Sequence, residues 1–176
     1  MENFIKGGIG DLAASSHPAK LTTLGLGSCI GIALYDVKTK VVGLAHAMLP
    51  DSTQARNREN IAKFVDTSIS ALISEMEKLG GTKENIIAKL AGGAQMFAFR
   101  QSLDLMRIGH RNVVAAKEIL NKLKIPIVSE DTGGNHGRTI VLDSETGILR
   151  IKTIGYGVKE IAKVLKREVV KWIIFT

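Results

Sequence analysis

The sequence predicts a single α/β domain of the α+β type, with a central mixed sheet and a helix appended at its C-terminus. Three observations predict it. Residues 20–50 hold three closely spaced strand-like segments that are apolar on both faces. Two later segments carry apolar residues at helical spacing. A further strand pair closes the pattern around S-E-T-G.

The first strand is expected from Lys20 to Gly25 and the second from Ile30 to Tyr35, ending at Asp36. The third is expected from Val41 to Leu49, closed by Pro50. Ile30, Ile32 and Leu34 share one face of the second strand, and Gly31, Ala33 and Tyr35 share the other. Ile61, Phe64, Val65, Ile69, Leu72, Ile73 and Met76 predict a long helix from Asn57 to Leu79, stopped by Gly80 and Gly81. Ile86–Leu90 reads as a strand running into A-G-G-A. A second helix is expected over Arg111–Leu123. Ile125–Ser129 is a strand whose Pro126 marks a start or an edge. E-D-T-G-G-N-H-G-R is a loop, and Arg138–Asp143 with Ile148–Thr153 forms the hairpin. The domain is placed at 1–157. Residues 158–176 are expected as an amphipathic helix, with Val158, Ile161, Leu165, Val169, Trp172 and Ile173 on one face.

The bulk numbers bound the class. A chain of 176 residues fits one domain, with an apolar share of 45% and a charged share of 23%, as in ordinary soluble proteins. It is long enough to need no disulfide staples, and its one cysteine can form none internally. That points to a reducing compartment, and the cytoplasm is the expected location. No apolar run approaches the roughly 20 residues of a membrane span. The start M-E-N-F-I-K-G-G-I-G does not read as a secretory signal. The net charge of +7 raises nucleic acid as a partner. The charge is dispersed, aromatics are 5%, and no nucleic-acid motif is present, so none is expected.

Cys29 ends the glycine-rich turn G-L-G-S-C between two strands. Alone it reads as readily as a buried, inert side chain. A hairpin turning at Lys38–Thr39 puts His46 opposite Gly31, with Cys29 one same-face step beyond, roughly 7–8 Å away at Cα. A turn centred one residue earlier puts Cys29 directly opposite His46. Both registers share a face, whereas a one-residue slip between them separates the pair. Imidazole beside a thiol takes its proton or holds it as an ion pair, and the thiolate then attacks an amide carbonyl. Thr22, Thr23 and Ser28 are candidates to orient the histidine, and Thr23 shares sequence parity with Gly25 and Gly27. Gly27 and Ser28 are candidates for oxyanion or positioning roles. His46 as a satisfied core histidine is the competing reading. His17, His46, His110, His136 and Cys29 show no metal-ligand spacing, and no dinucleotide or phosphate loop is complete.

Five motifs in order, L-T-T-L-G-L-G-S-C-I, A-H-A-M-L-P-D-S, A-G-G-A-Q-M-F, I-G-H-R-N-V and E-D-T-G-G-N, resemble the CheD family of chemoreceptor glutamine deamidases. The likeness covers residues 3 to 155. It implies Cys29 as nucleophile, His46 as base and Thr23 as the third member of the triad. It implies a three-layer α/β sandwich related to toxin deamidases, and no cofactor. The implied substrates are glutamines on the cytoplasmic helices of methyl-accepting chemotaxis receptors, converted to glutamate with release of ammonia. The implied further partner is a CheC-type phosphatase. A non-enzymatic adaptor binding receptors and that phosphatase is the alternative. A cysteine hydrolase of some other amide is a third reading.

Overall fold

A computed structural model describes residues 3–96 and 107–161. They form three layers. The first sheet contains β1 (Asn3–Gly7), β3 (Ala19–Leu26), β8 (Arg138–Asp143), β9 (Leu149–Thr153) and β10 (Gly157–Ile161), in that spatial order. The second contains β2 (Leu12–Ser15), β5 (Val42–Ala47), β4 (Ile30–Asp36), β6 (Ile86–Gly92) and β7 (Ile127–Thr132), again in spatial order. Helices α1 (Val65–Lys78) and α2 (Ile108–Lys122) form the third layer. Both sheets are mixed, through the parallel pairs β1–β3 and β6–β7.

The second sheet is the middle layer, and its strand faces show why. Ile30, Ile32 and Leu34 of β4 join Val65, Ile69, Leu72 and Met76 of α1 in one apolar cluster. Ala33, on the opposite face, joins Leu21, Leu26, Ile140 and Ile151 of the first sheet in another. The division of β4 into these two faces was legible in its alternation, because both faces must be apolar when a sheet is covered twice. Gly43 lets α1 lie close. A Cβ there would stand 2.7 Å from the Met76 sulfur and 2.9 Å from a Leu72 methyl.

The β4–β5 register is locked at its turn. Asp36 is fully buried and its carboxylate accepts the N–H groups of Lys38, Thr39 and Thr82 at 2.8–2.9 Å. Gly31 therefore pairs with His46, as the turn at Lys38–Thr39 predicts.

Four expectations need correction. The helix expected from Asn57 begins at Val65, because Phe64 is extended and bridges Leu49, and the Val65 N–H donates to the Leu49 carbonyl at 2.8 Å. The strand expected at Ile125 begins at Ile127, since Pro126 has no N–H to give the ladder, and it runs on through Thr132 into the expected loop. Strands β1 and β2 were not anticipated. The expected helix from Val158 starts instead as strand β10, antiparallel to β9, after Gly155 and Gly157 take positive φ. Residues 162–176 of that expected helix lie outside the described residues. Among the described residues no helix is long and apolar enough to cross a membrane.

Candidate active site

Three strands from two sheets converge on His46. It lies on β5 of the middle layer, only 1% exposed, facing the first sheet. Its backbone is bracketed by the loop before β2: Gly10 N–H donates to the His46 carbonyl, and His46 N–H donates to the Asp11 carbonyl, both at 2.9 Å. Across the gap, Thr23 of β3 places Oγ1 2.7 Å from His46 Nδ1. Thr23 is itself 1% exposed.

The tautomer follows from the third partner. Thr23 Oγ1 also lies 3.0 Å from the Gly7 carbonyl, which can only accept. The single hydroxyl proton of Thr23 goes to Gly7, so its oxygen accepts from Nδ1–H. The ring proton thus sits on Nδ1, and Nε2 carries the lone pair. Nε2 is buried and has no hydrogen-bond partner among the described residues. An imidazole held this way keeps the lone pair of its basic nitrogen unengaged.

Cys29 ends the turn just before β4 and is 8% exposed. It shares the inter-sheet cluster with Leu26, Leu44, Ala91 and Ile140. Burial pushes its thiol above the ordinary 9.0, and its own backbone N–H partly offsets this. Burial holds His46 below 6.5, with the Asp11 charge acting the other way. Both shifts favour neutral forms.

The turn itself is pinned through three successive carbonyls. Gly27 accepts from Ala94 N–H at 2.9 Å, Ser28 from the Asn112 amide at 2.9 Å, and Cys29 from Gly93 N–H at 2.8 Å. Backbone crowding permits this only with glycine. A Cβ on Gly92 would lie 2.4 Å from the Cys29 carbonyl oxygen, and one on Gly109 would lie 2.3 Å from that of Ala94. The A-G-G-A segment is therefore a docking point between the cysteine turn and α2, beyond being a turn.

Of the residues singled out from sequence, Thr23 and His46 are in contact and Cys29 packs between the same sheets. Thr22 turns its hydroxyl to the Ile140 carbonyl at 2.8 Å, away from the histidine. Gly27 is not a free oxyanion donor, because its N–H donates to the Gly25 carbonyl at 3.1 Å. Asp131 and Glu130 diverge, as expected for neighbours in a strand: Asp131 pairs with Arg138 at 3.2 Å and Glu130 with Lys117 at 2.8 Å. Sequence reasoning missed the Gly7 carbonyl and Asn112. No side-chain motif flags a backbone carbonyl. Asn112 stood inside I-G-H-R-N-V, a motif already noted, without a role.

Residues 48–153 match the family model described as CheD chemotactic sensory transduction. That span starts beyond His46. A protein of Lachnoclostridium phytofermentans called "Probable chemoreceptor glutamine deamidase CheD" is 52% identical over 161 residues, covering 92% of this chain and 100% of its own. A match of that length necessarily spans Thr23 to His46. Proteins of the same name from Caldanaerobacter subterraneus and Clostridium kluyveri are 56% and 52% identical. They cover 88% and 89% of this chain, and 95% and 97% of their own. With matches running nearly end to end at such identity, the chain belongs to the CheD family.

Proposed function

We propose that this protein is a cytoplasmic protein-glutamine deamidase acting on chemoreceptors, with Cys29 as nucleophile, His46 as base and Thr23 as its orienting partner. The observation that carries the reading is the Gly7–Thr23–His46 chain, which leaves Nε2 unprotonated in a buried site shared with the chain's one cysteine. The substrate comes from the relatives, whose names specify chemoreceptor glutamine.

The chemistry balances without a cofactor. The Cys29 sulfur bonds to the side-chain carbonyl carbon of glutamine as its proton passes to His46 Nε2. Thr23 holds Nδ1–H while the ring is positive, and the Asp11 charge supports that state through space. The oxyanion is met by backbone N–H groups of the turn, Ser28 and Cys29, in place of Gly27. When the C–N bond breaks, Nε2–H protonates the leaving nitrogen and ammonia departs. Water then adds to the thioester, giving its proton to His46. The C–S bond breaks, glutamate leaves, and the thiol is restored.

The test is mass analysis of receptor cytoplasmic fragments incubated with the full chain. Conversion of specific glutamines to glutamate is expected, with none from Cys29→Ala. No conversion by folded wild-type protein on a cognate receptor would sink the reading. If Cys29→Ala still binds receptor and restores chemotaxis in a deletion strain, the adaptor role toward receptors and a CheC-type phosphatase is the one that matters.

A further inference from the structure

Asn112 lies in the first half of α2 and is completely buried. Its Nδ2 donates to the Ser28 carbonyl at 2.9 Å and to the Met48 carbonyl at 3.0 Å. Two carbonyl oxygens can only be met by the NH2 end, so the orientation of the amide is fixed. Oδ1 is then left buried with no partner among the described residues. An unmet buried acceptor carries a free-energy cost. For packing alone, a leucine of similar size would fill the site without it. The amide is there for its donors.

What those donors hold is a peptide plane. The Ser28 carbonyl belongs to the same peptide as the Cys29 N–H. In a trans peptide the two point in opposite directions, and the cis bond recorded among the described residues is elsewhere, at His17–Pro18. Drawing the Ser28 oxygen toward α2 therefore aims the Cys29 N–H the other way, onto its own sulfur. The preceding peptide is held alike, with the Gly27 oxygen on Ala94 N–H and the Ser28 N–H turned away from it. The second Asn112 bond reaches Met48, two residues past His46. One side chain ties the nucleophile's peptide to the end of the base's strand.

We infer that Asn112 is a positioning residue for the cysteine chemistry: it fixes the Ser28–Cys29 peptide so that the Cys29 N–H meets the oxyanion, and it sets the spacing between that peptide and the strand carrying His46. The inference deepens the deamidase reading and rests on it for the oxyanion. The link between Asn112 and the sulfur stands without it.

Asn112→Leu in the full chain separates the two. Iodoacetamide alkylation of Cys29, followed by mass at fixed pH, is expected to slow about threefold or more, because the N–H that favours the thiolate is released. Deamidation of a receptor fragment is expected to lose at least about tenfold in kcat with KM nearly unchanged, a fraction of what loss of an oxyanion donor costs. Asn112→Gln, with the amide one carbon further out, is expected to fall between the two proteins. An unchanged or faster alkylation rate in a cooperatively melting Asn112→Leu protein overturns the inference, since mere loosening would expose the thiol. If Asn112→Leu does not fold, Asn112→Gln carries the same measurement, and a wild-type rate in it overturns the inference. Slowed alkylation with no deamidation even by wild type supports the role of Asn112 and sinks the substrate reading instead.

Discussion

Gly31 stands directly opposite His46 in the β4–β5 ladder, and its missing side chain is what lets the first sheet close over the histidine. A Cβ at Gly31 would lie 2.6 Å from Cδ1 of Ile140 and 3.0 Å from Cδ1 of Leu26. Gly31→Ala is expected to destabilise the fold by about 1–3 kcal/mol through overpacking. It should also lower activity by moving β3, and with it Thr23, away from the base. Thermal melts and deamidation rates measured together test this, and a variant matching wild type in both would refute the tight closure.

Thr23 is expected to matter through its hydroxyl rather than its shape. Thr23→Val keeps the branched side chain but frees Nδ1 and strands the Gly7 carbonyl, an unmet acceptor costing about 1–3 kcal/mol. The rate should drop by roughly ten- to a hundredfold, the low end of what a positioned base contributes. Thr23→Ser should retain most of it. A wild-type rate in Thr23→Val with a loss in Thr23→Ser would show that the methyl group, not the hydrogen bond, was needed.

The pH dependence follows from two pKa shifts in opposite directions, both caused by burial. His46 is held below 6.5 by burial, so Nε2 stays free and the deamidation rate should persist as pH falls through 6.5, declining only at lower pH. The unfolded chain takes its proton near 6.5 while the native ring resists it. The stability His46 contributes is thus complete above 6.5 and is lost as pH falls from there through the native value. Cys29 runs opposite: its stability is complete below 9.0 and is lost as pH rises through the higher native value. Iodoacetamide reactivity should accordingly keep climbing beyond pH 9.0. A rate plateau already reached at neutral pH would reveal a thiolate–imidazolium pair at rest.

The shared placement of Cys29 and His46 was legible in the sequence because a hairpin is local. Once the turn is fixed by Asp36, parity alone decides that Cys29 and His46 share a face. Thr23 belongs to another sheet, and strand parity could nominate it but not bring it to the imidazole. What stayed hidden was nonlocal or carried by backbone. Strand β1 is short and half-polar, and its contribution is the Gly7 carbonyl. Asn112 reaches the site only because Gly109 and Gly93 let α2 touch the loop after β6. The C-terminal misreading has a simple cause. Val158 and Ile161 satisfy helical spacing, but the edge of β9 offers hydrogen bonds that periodicity does not see.

Lys89 gives a prediction outside the site. It lies in the middle of β6, 2% exposed, and its Nζ donates to the Gly147 carbonyl at 2.7 Å. Burial lowers its pKa from 10.5 to about 8. Below pH 8 the native chain must hold a buried charge that the unfolded chain holds in water. That penalty fades as pH rises from 8 to 10.5. Lys89→Met should therefore compare most favourably with wild type below pH 8, the difference narrowing up to 10.5. Melting temperatures of both proteins across that range decide it, and a constant difference would mean that the lysine titrates normally.

The split of the proposed triad between layers has a consequence for the nascent chain. Cys29 and His46 sit on neighbouring segments of one sheet, while Thr23, which orients the imidazole, arrives with the other. Completing the first sheet requires β8 and β9, encoded more than ninety residues after His46. Until that late hairpin docks, β3 lacks its β8 neighbour, and the Thr23–His46 contact between the sheets lacks part of the layer that holds it. The hydrogen bond that orients His46 thus depends on strands encoded far downstream of it.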